Sequence, residues 1–335
     1  EETMSKWNVF VYHKESNASG AEAFAMVTRA TLSGKIQSGK TPVVEYKRQA
    51  DAAWSTLATS AVKVSGTSFT ASLTGLKAAT AYQYRVSVDG TAGEEQSFTT
   101  AEAVPLTNGS FDDWSSVPAG KNTLWQPWAE GGTSFWDTGN KGATTVGNSN
   151  STPTTETSTG SGQAASLESK YIVLKFAAGN IFTGTYVRTD GTNGVLQFGR
   201  PFTSFPSKLR IHYKYNCVPI NKSGDDDFKY LVGRPDSCQV YIALTDWDAP
   251  LEIRTRPSER QLFDPSDPKV IAYGELTKGE SVSSWTQADI VLDYRYTNRT
   301  PKYIVVVASA SKYGDYFTGG EGSKLWLDEC ELIYD

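Results

Sequence analysis

The sequence predicts an all-β protein made of two β-sandwiches, and three observations lead to this prediction. Segments of β-branched and aromatic residues alternate with polar residues, and Gly, Asn, Asp, Ser or Pro separate these segments. No long stretch has the 3.6-residue period of an amphipathic helix. The chain has 335 residues, which is too long for one ordinary sandwich and suits two domains.

The composition excludes several classes of function. A net charge of -5 leaves no electrostatic footprint for duplex nucleic acid or anionic lipid. The only histidines, His13 and His212, rule out a multi-histidine metal site. Cys217, Cys238 and Cys330 are widely spaced, which excludes a four-thiolate zinc site and leaves a disulfide undecided. Dinucleotide-binding, phosphate-loop and serine-hydrolase motifs are also missing.

The first hundred residues predict a small sandwich domain at residues 1–101. A short linker is predicted at residues 101–105. About seven short strands at regular turn spacing are typical of this architecture. The predicted strands are Trp7–Tyr12, Ala23–Leu32, Val43–Arg48, Val62–Val64, Ser68–Leu73, Ala81–Val88 and Glu95–Thr99.

A tyrosine in this domain carries a family resemblance. The segment 73–86 contains Tyr82 on an alternating strand and resembles the E–F corner of a fibronectin type III domain. In that family a tyrosine closes the corner by a hydrogen bond to the backbone, and Tyr82 matches it. The resemblance covers residues 27–100 and implies a fibronectin-III-like or immunoglobulin-like sandwich.

Residues 106–335 predict a second, larger sandwich of the jelly-roll type, because nine or ten antiparallel strands are joined by long connections. A Gly-, Ser- and Thr-rich segment from Gly139 to Gly162 predicts a surface loop, with a lid over a ligand as the alternative. The predicted strands are Ala165–Glu168, Tyr171–Phe176, Gly184–Val187, Lys208–Asn216, Ser237–Asp246, Val270–Leu276, Thr286–Tyr296, Lys302–Ala310 and Lys324–Tyr334.

The last predicted strand suggests a metal site. Its alternation places Asp328 on the same face as Trp326 and other apolar residues, where an unpaired carboxylate is costly. The first and last strands of a jelly-roll commonly lie side by side, which brings Asn108 and Asp112 near Asp328. We therefore predict a structural Ca²⁺ held by Asn108, Asp112 and Asp328. The alternative is that Asp328 accepts hydrogen bonds from backbone amides without a metal.

Tryptophans outside the clear strands predict a sugar-binding surface. Flat indole faces stack on the C–H faces of pyranose rings, and neighbouring polar groups bind the hydroxyls. A core or loop anchor is the alternative for each single tryptophan. The predicted stacking residues are Trp125, Trp128, Trp136 and Trp247, and the predicted polar contacts are Arg188, Asp246 and Asp248.

Carboxylates are the only catalytic groups that the sequence offers. A glycosidase needs two of them facing each other across a cleft, and Asp246 with Asp315 is the pair we consider. Acidic pairs are common on loops and strand ends, so no pair is assigned to catalysis. The motif at 312–315 is interpreted as a Gly-Asp turn that fixes the loop before the last strand.

Three segments of the second domain carry a closer resemblance. Residues 180–184, 199–215 and 309–329 closely resemble the putative carbohydrate metabolism domain family, and the match covers essentially the whole domain. This resemblance implies a jelly-roll similar to carbohydrate-binding modules, in secreted or surface lipoproteins of Gram-negative bacteria. It implies an oligo- or polysaccharide partner and supplies no catalytic pair. The ends at 108–111 and 326–328 are similar to the calcium-clasping ends of sugar-binding jelly-rolls.

Together these observations predict a non-catalytic glycan-binding protein that serves polysaccharide capture or utilisation. A glycoside hydrolase and a structural adhesion or fimbrial-assembly subunit remain as alternatives. The chain opens with Glu1 and has Met4 in fourth place, so we interpret it as a mature or trimmed chain whose removed N-terminus could have carried a lipid anchor. No apolar segment approaches the roughly 20 residues that span a bilayer. We expect an extracellular or outer-membrane location, with the periplasm as the alternative.

Overall fold

The computed structural model describes residues 21–335, and nearly all regular structure in them is β-strand. The all-β prediction is confirmed, while the predicted strand Trp7–Tyr12 lies outside the described residues. The chain divides into two compact units, of which the first ends at Glu102 and the second begins at Ala103. In the described part, no helix is both long enough and apolar enough to cross a membrane.

The first unit is a sandwich of two antiparallel sheets, with strand orders β1-β2-β6-β5 and β4-β3-β7-β8, and β9 pairs with β7. The predicted strand Ala23–Leu32 is in fact two strands, because a turn closed by the Met26 N–H and the Arg29 carbonyl interrupts it. A 3₁₀ turn spans Thr59–Ala61. The strands are β1 (Glu22–Ala25), β2 (Ala30–Lys35), β3 (Val43–Arg48), β4 (Ser55–Thr56), β5 (Val62–Ser65), β6 (Ser68–Leu73), β7 (Ala81–Val88), β8 (Thr91–Ala92) and β9 (Gln96–Thr99).

Tyr82 closes a corner of this unit. Its hydroxyl accepts a hydrogen bond of 2.8 Å from the Lys77 N–H, five residues upstream. Its ring is buried and stacks on Phe98 with centroids 5.4 Å apart. Tyr82 is therefore a fold residue, as the sequence predicts.

The second unit contains one short helix, α1 (Asn140–Ala143), and 3₁₀ turns at Asp226–Leu231, Pro257–Glu259 and Gly314–Tyr316. Its strands are β10 (Ser115–Ala119), β11 (Asn122–Gln126), β12 (Trp136–Asp137), β13 (Ser151–Thr154), β14 (Ala164–Glu168), β15 (Lys170–Ile172), β16 (Lys175–Ala177), β17 (Asn180–Asp190), β18 (Asn193–Phe198), β19 (Arg200–Pro201), β20 (Lys208–Asn216), β21 (Lys222–Ser223), β22 (Cys238–Thr245), β23 (Leu251–Arg254), β24 (Val270–Lys278), β25 (Val282–Val291), β26 (Asp293–Tyr294), β27 (Tyr303–Ser309), β28 (Thr318–Gly319) and β29 (Lys324–Ile333).

Two large antiparallel sheets of this unit pack face to face. A nine-stranded sheet has the order β23-β18-β17-β27-β22-β24-β26, joined by β12 and β19, and a five-stranded sheet has the order β13-β14-β29-β20-β25. Burial of apolar side chains between the two sheets drives this packing. The core between them includes Leu209, Ile211 and Tyr213 from β20, Val240, Ile242 and Leu244 from β22, and Leu325, Leu327 and Leu332 from β29.

The nine-stranded sheet is also apolar on its outer face. A second buried cluster there includes Phe182, Ala243, Trp247 and Val305. Strand β22 therefore carries apolar residues on both sides, whereas a surface strand of an antiparallel sheet normally has one polar face. The connection 255–269, between β23 and β24, contributes Phe263 to this cluster.

The prediction that Trp326 and Asp328 share a face with Cys330 is wrong. Strand β29 pairs with β20 so that Asp328 lies opposite His212, and the register then shifts before the next pair. Glu329 is the extra residue of this β-bulge and has a positive φ of 45°. Because one extra residue reverses the alternation, Trp326 and Asp328 lie on the outer face, while Cys330 belongs to the core.

The segment from 139 to 162 is more structured than the sequence predicts. It contains helix α1 and strand β13, which pairs with β14 at the edge of the five-stranded sheet. Residues 155–163, which we call the crossing segment, then pass over the outer face of this sheet. Ser158 donates from its backbone N–H and its hydroxyl to Asp328, both at 2.8 Å. The crossing segment therefore explains how Asp328 is buried although it faces away from the core.

Candidate functional site

Three aromatic rings form an open stack on the outer face of the nine-stranded sheet. Tyr241 comes from β22, Tyr273 comes from β24, and the ring of Phe263 lies 5.2 Å from Tyr241 and 6.2 Å from Tyr273 at small interplanar angles. All three side chains are partly exposed. We call Tyr241, Phe263 and Tyr273 the outer aromatic cluster. Partly exposed aromatic rings suit contact with a flat, apolar ligand surface.

Polar groups border the outer aromatic cluster along β24. Glu275 lies opposite Tyr241 in the sheet and is exposed. Its carboxylate accepts hydrogen bonds from Gln239 Nε2 at 2.8 Å and from the Tyr273 hydroxyl at 3.3 Å. The guanidinium of Arg295 lies 5.8 Å from the Tyr273 ring centroid. Rings and hydrogen-bonding groups are thus side by side, which is the arrangement that a sugar requires.

Asp315 lies beside the opposite side of this cluster, in the 3₁₀ turn Gly314–Tyr316. Gly314 allows the turn to approach closely, because a Cβ there would meet the Ala178 Cβ at 2.5 Å. Asp315 is an exposed residue, but surrounding protein desolvates its carboxyl group and raises its pKa, while Arg260 acts in the opposite direction. Burial raises the pKa of the Tyr241 hydroxyl, and the charge of Asp315 raises it further. Asp315, Arg260 and Tyr241 are therefore neighbours.

Arg260 has only part of its hydrogen-bonding capacity in use. Its Nη1 donates to Asp225 Oδ2 at 3.0 Å, and its guanidinium lies 4.6 Å from the Tyr316 ring centroid. Tyr316 in turn stacks on Phe228 with centroids 4.1 Å apart. Arg260 Nε and Nη2 are buried and have no hydrogen-bond partner. Such unsatisfied donors are rare in folded proteins and call for a partner.

The predicted carboxylate pair does not face one cleft. Asp246 follows the last residue of β22, where Arg299 binds both of its oxygens at 2.9 and 2.6 Å. Asp315 lies near the first residue of the same strand, because the N–H of Lys312, three residues before it, donates to the Ser237 carbonyl. A strand of eight residues spans about 26 Å, which is well beyond the about 5–10 Å between paired catalytic carboxylates. The pairing of Asp246 with Asp315 is therefore wrong.

Two of the predicted stacking residues are buried. Trp136 has no exposed surface, and its Nε1 donates to the Thr107 carbonyl at 2.8 Å inside the core. Trp247 is 7% exposed and presents its edge to Phe263, with centroids 6.1 Å apart. Neither indole offers a face to a ligand, so both predictions are wrong as stacking platforms. Trp247 instead supports the outer aromatic cluster from below.

The other predicted contacts lie elsewhere or already have a partner. Trp125 is on the hairpin β10–β11 and Trp128 follows it, and both are partly buried. Arg188 is exposed and paired with Asp190 at 3.1 Å. The exposed carboxylate of Asp248 lies 3.4 Å from the Lys302 ammonium. None of these contacts places Trp125, Trp128, Arg188 or Asp248 in the outer aromatic cluster. The role of these residues in binding stays a prediction.

The residues of the predicted calcium site do meet. Segment 108–112 lies against β29, because the Cys330 N–H donates to the Gly109 carbonyl at 2.7 Å. Burial raises the pKa of Glu329, and the nearby charges of Asp328 and Asp112 raise it further. Both ends of the second unit therefore come together, and they bring several acidic groups with them.

The hydrogen bonds at this place do not fit a calcium ion. The Asp328 carboxylate is surrounded by three donors, two from Ser158 and the Glu329 N–H at 2.9 Å. Asp112 accepts from the Gln163 N–H at 2.8 Å, and the Asn108 side-chain oxygen accepts from a backbone N–H. Across residues 21–335, no three His, Cys, Asp or Glu side chains are grouped as metal ligands. N–H donors satisfy these oxygens as a cation would, which favours the alternative without metal.

A depression in the first unit offers little chemistry. It has a volume of about 570 Å³ and is lined by residues 48–51 and 79–81. Its charged groups, Arg48 and Asp51, bind each other through two hydrogen bonds of 2.9 Å. We therefore place the candidate site on the second unit.

Sequence reasoning missed the residues that form the site. Tyr241 and Tyr273 occupy outward positions of two correctly predicted strands, so aromatic residues on the second face of an apolar strand were an available signal. Phe263 and Arg260 lie in the connection 255–269, which has no periodicity. Nothing in the sequence indicates that this connection folds over the sheet.

Comparisons with known proteins agree on the architecture. Residues 110–333 match the family model described as "Putative carbohydrate metabolism domain", and residues 27–100 match "Purple acid Phosphatase, N-terminal domain", which is a fibronectin-like sandwich. No curated protein matches the chain.

Two solved structures are similar in fold. A putative glycoside hydrolase from Bacteroides vulgatus is 23% identical with a TM-score of 0.51, and the match covers 67% of this chain and 96% of that one. A putative glycoside hydrolase from Bacteroides thetaiotaomicron is 18% identical with a TM-score of 0.51, and the match covers 96% of this chain and 98% of that one. At these identities the likeness shows the fold alone.

Proposed function

Because the chain belongs to the putative carbohydrate metabolism domain family, which gives it a carbohydrate-related function, we propose that it binds an oligo- or polysaccharide on the outer aromatic cluster. The observation that carries this proposal is the open stack of Tyr241, Phe263 and Tyr273 beside Glu275. A pyranose has an apolar C–H face and a rim of hydroxyls. The cluster offers a surface for the first and hydrogen-bonding groups for the second.

The proposed binding is tested with the full chain on a panel of soluble polysaccharides by affinity electrophoresis, followed by calorimetry on any ligand found. Tyr273→Ala removes a ring of the cluster, and we expect it to weaken the affinity about tenfold. Tyr273→Phe is the matched control, because it keeps the ring and loses only the hydroxyl bond to Glu275. Binding that Tyr273→Ala leaves unchanged, or no binding to any glycan, would contradict the proposal.

Hydrolysis is the second candidate, and Asp315 is the observation that favours it. A carboxyl group whose pKa is raised by desolvation suits a general acid. Hydrolysis also needs a second carboxylate that faces Asp315 across a cleft. Reducing ends released by the wild type and not by Asp315→Asn would replace the binding proposal with hydrolysis.

The proposal includes a location outside the cell, on the outer membrane or secreted, because polysaccharides too large to enter are met there. Mild protease treatment of intact cells tests this location. We expect loss of the protein from intact cells under conditions that spare a periplasmic marker. Protection equal to that of the marker would contradict a surface location.

A further inference from the structure

Arg260 presents an unused pair of donors at the edge of the outer aromatic cluster. Asp225 binds Nη1 and the Tyr316 ring covers one face, so the guanidinium is held in place. The two nitrogens left without a partner, Nε and Nη2, are the pair whose N–H bonds point in parallel. Two parallel N–H bonds match the two oxygens of a planar carboxylate.

Positive charge without acidic partners lies close by. The Lys175 ammonium is hydrogen-bonded only to neutral groups, two oxygens of Thr192 and Asn193 Oδ1, and lies 3.9 Å from the centroid of the Phe317 ring. Burial lowers the pKa of Lys175, and the nearby charge of Arg256 lowers it further. Arg256 itself donates to the Asp190 backbone carbonyl. Phe317 directly follows the turn that carries Asp315.

Acidic groups lie here as well, because Asp225 pairs with Arg260 and Asp315 is close to it, but neither is hydrogen-bonded to Lys175. A desolvated cation that lacks an anion is costly, and a bound anion would remove that cost. The groups that an anion could satisfy are therefore the Lys175 ammonium and the unused donors of Arg260.

We propose that this corner binds the carboxylate of an acidic sugar, so that the glycan recognised by the outer aromatic cluster contains hexuronate units. The carboxylate accepts side-on hydrogen bonds from Nε and Nη2 of Arg260, and Lys175 and Arg256 add long-range attraction. Tyr241 and Phe263 contact the sugar ring. This inference rests on the proposed glycan binding and adds the chemical class of the ligand.

A ligand reaches the donors of Arg260 after a local rearrangement, because Nε and Nη2 are buried. The Arg260 side chain is 19% exposed, and the neighbouring Asp315 is at the surface. Entry requires the Tyr316 ring and the Asp315 side chain to turn aside from the guanidinium. Shielding from water strengthens the bond once it has formed.

The test uses calorimetry on the full chain with polygalacturonate, alginate and glucuronoxylan oligomers, and with the methyl ester of each binder. The ester keeps the ring and the hydroxyls and removes the charge. We expect at least tenfold tighter binding of the free acid than of its ester. Arg260→Lys keeps a cation without the paired donors, so it reduces this preference to below about threefold. Arg210→Gln, an arginine paired with Asp289 on the other sheet, is the matched control and leaves the preference intact.

The outcomes separate this inference from the proposed function. Equal affinity of the wild type for acid and ester, or tighter binding of a neutral glycan, overturns the acidic-sugar inference and leaves glycan binding in place. A preference for sulfated galactan over all uronates overturns the carboxylate assignment. No binding to any glycan overturns both proposals. The comparison of acid and ester needs no variant, so it remains decisive even if Arg260→Lys does not fold.

Discussion

The two outer faces of the second unit resemble each other in composition and differ in how their groups are partnered. On the five-stranded sheet, Lys214 lies between Trp285 and Trp326, 5.4 and 4.6 Å from the ring centroids, and it forms an ion pair with Glu156. On the nine-stranded sheet, three rings are partly exposed and Arg260 has two donors without a partner.

The difference teaches that a binding face is recognised by a charged group with donors left unused rather than by tryptophan content. The crossing segment supplies the five-stranded face with internal partners for Lys214 and Asp328. Trp326 Nε1 has no well-formed hydrogen bond there, but it lies close enough to Glu156 to contribute to the lowered pKa of that carboxylate, after the larger effect of Lys214. On the nine-stranded face, Arg260 Nε and Nη2 have no internal partner, so a ligand that displaces the neighbouring groups can supply one.

Asp328→Ala should have the largest effect on stability. It tests how much the contacts between the crossing segment and the five-stranded sheet contribute to the fold. Its removal leaves the Ser158 and Glu329 donors unsatisfied, so we expect a loss of about 3 kcal/mol in the free energy of unfolding. Urea unfolding followed by circular dichroism measures this. Asp289→Ala, which removes an exposed partner of Arg210, is the control and should cost much less. A loss below about 1 kcal/mol for Asp328→Ala would contradict the closed face.

Asp328→Ala also tests whether the predicted calcium ion binds at this place. If the donors around Asp328 are the stabilising contacts, EDTA and added Ca²⁺ leave the melting temperature of the wild type unchanged. An ion that binds only the folded state raises the melting temperature by mass action. A rise with Ca²⁺ that EDTA reverses and Asp328→Ala abolishes would establish the metal and contradict this account of the face.

Asp246→Asn should have an intermediate effect on stability and should not change binding. Hydrogen bonds from Arg299 lower the pKa of Asp246, so the pair stabilises the fold above the unfolded-state pKa of about 3.9 and loses this contribution as the pH falls through the lower folded value. We expect a loss of about 1–2 kcal/mol at pH 7 that nearly vanishes in strong acid. Urea unfolding at pH 7 and in strong acid measures this loss of stability. A tenfold loss of glycan affinity would instead place Asp246 in the binding site.

Lys214→Met should have the smallest effect on stability. It removes the ion pair with the largely exposed Glu156 and the contacts with two indoles, and such surface pairs contribute about 0–1 kcal/mol. Thermal melts and calorimetry on the same glycan measure stability and affinity together. We expect unchanged affinity, because Lys214 already has an internal partner in Glu156. Weakened binding would show that both faces contact the ligand.

Most of the fold could be predicted from the sequence where alternation is strong. Lys208–Asn216 alternates apolar and polar residues and forms β20 with the predicted bounds. Asn193–Phe198 and Leu251–Arg254 were missed, because short strands covered on both faces have no clear alternation. The bulge at Glu329 was also missed, since an extra residue in a strand leaves the composition unchanged.

The site was less predictable, because it depends on a connection without periodicity. Residues 255–269 bring Phe263 and Arg260 onto the sheet, and only the fold shows where this connection lies. The number of tryptophans outside clear strands led us to predict Trp136 as a stacking residue. Its size and apolar character suit a buried core position equally well. Burial, rather than residue type, separates these two roles.

The most direct test of the proposed site compares Phe263→Ala and Trp285→Ala for affinity toward the same glycan, with the melting temperature of each as a check on folding. Phe263 belongs to the open cluster, and Trp285 belongs to the face closed by the crossing segment. We predict that Phe263→Ala weakens binding about tenfold or more and that Trp285→Ala changes it less than about twofold. The reverse ranking, in two folded variants, would contradict the assignment of the nine-stranded face as the binding surface.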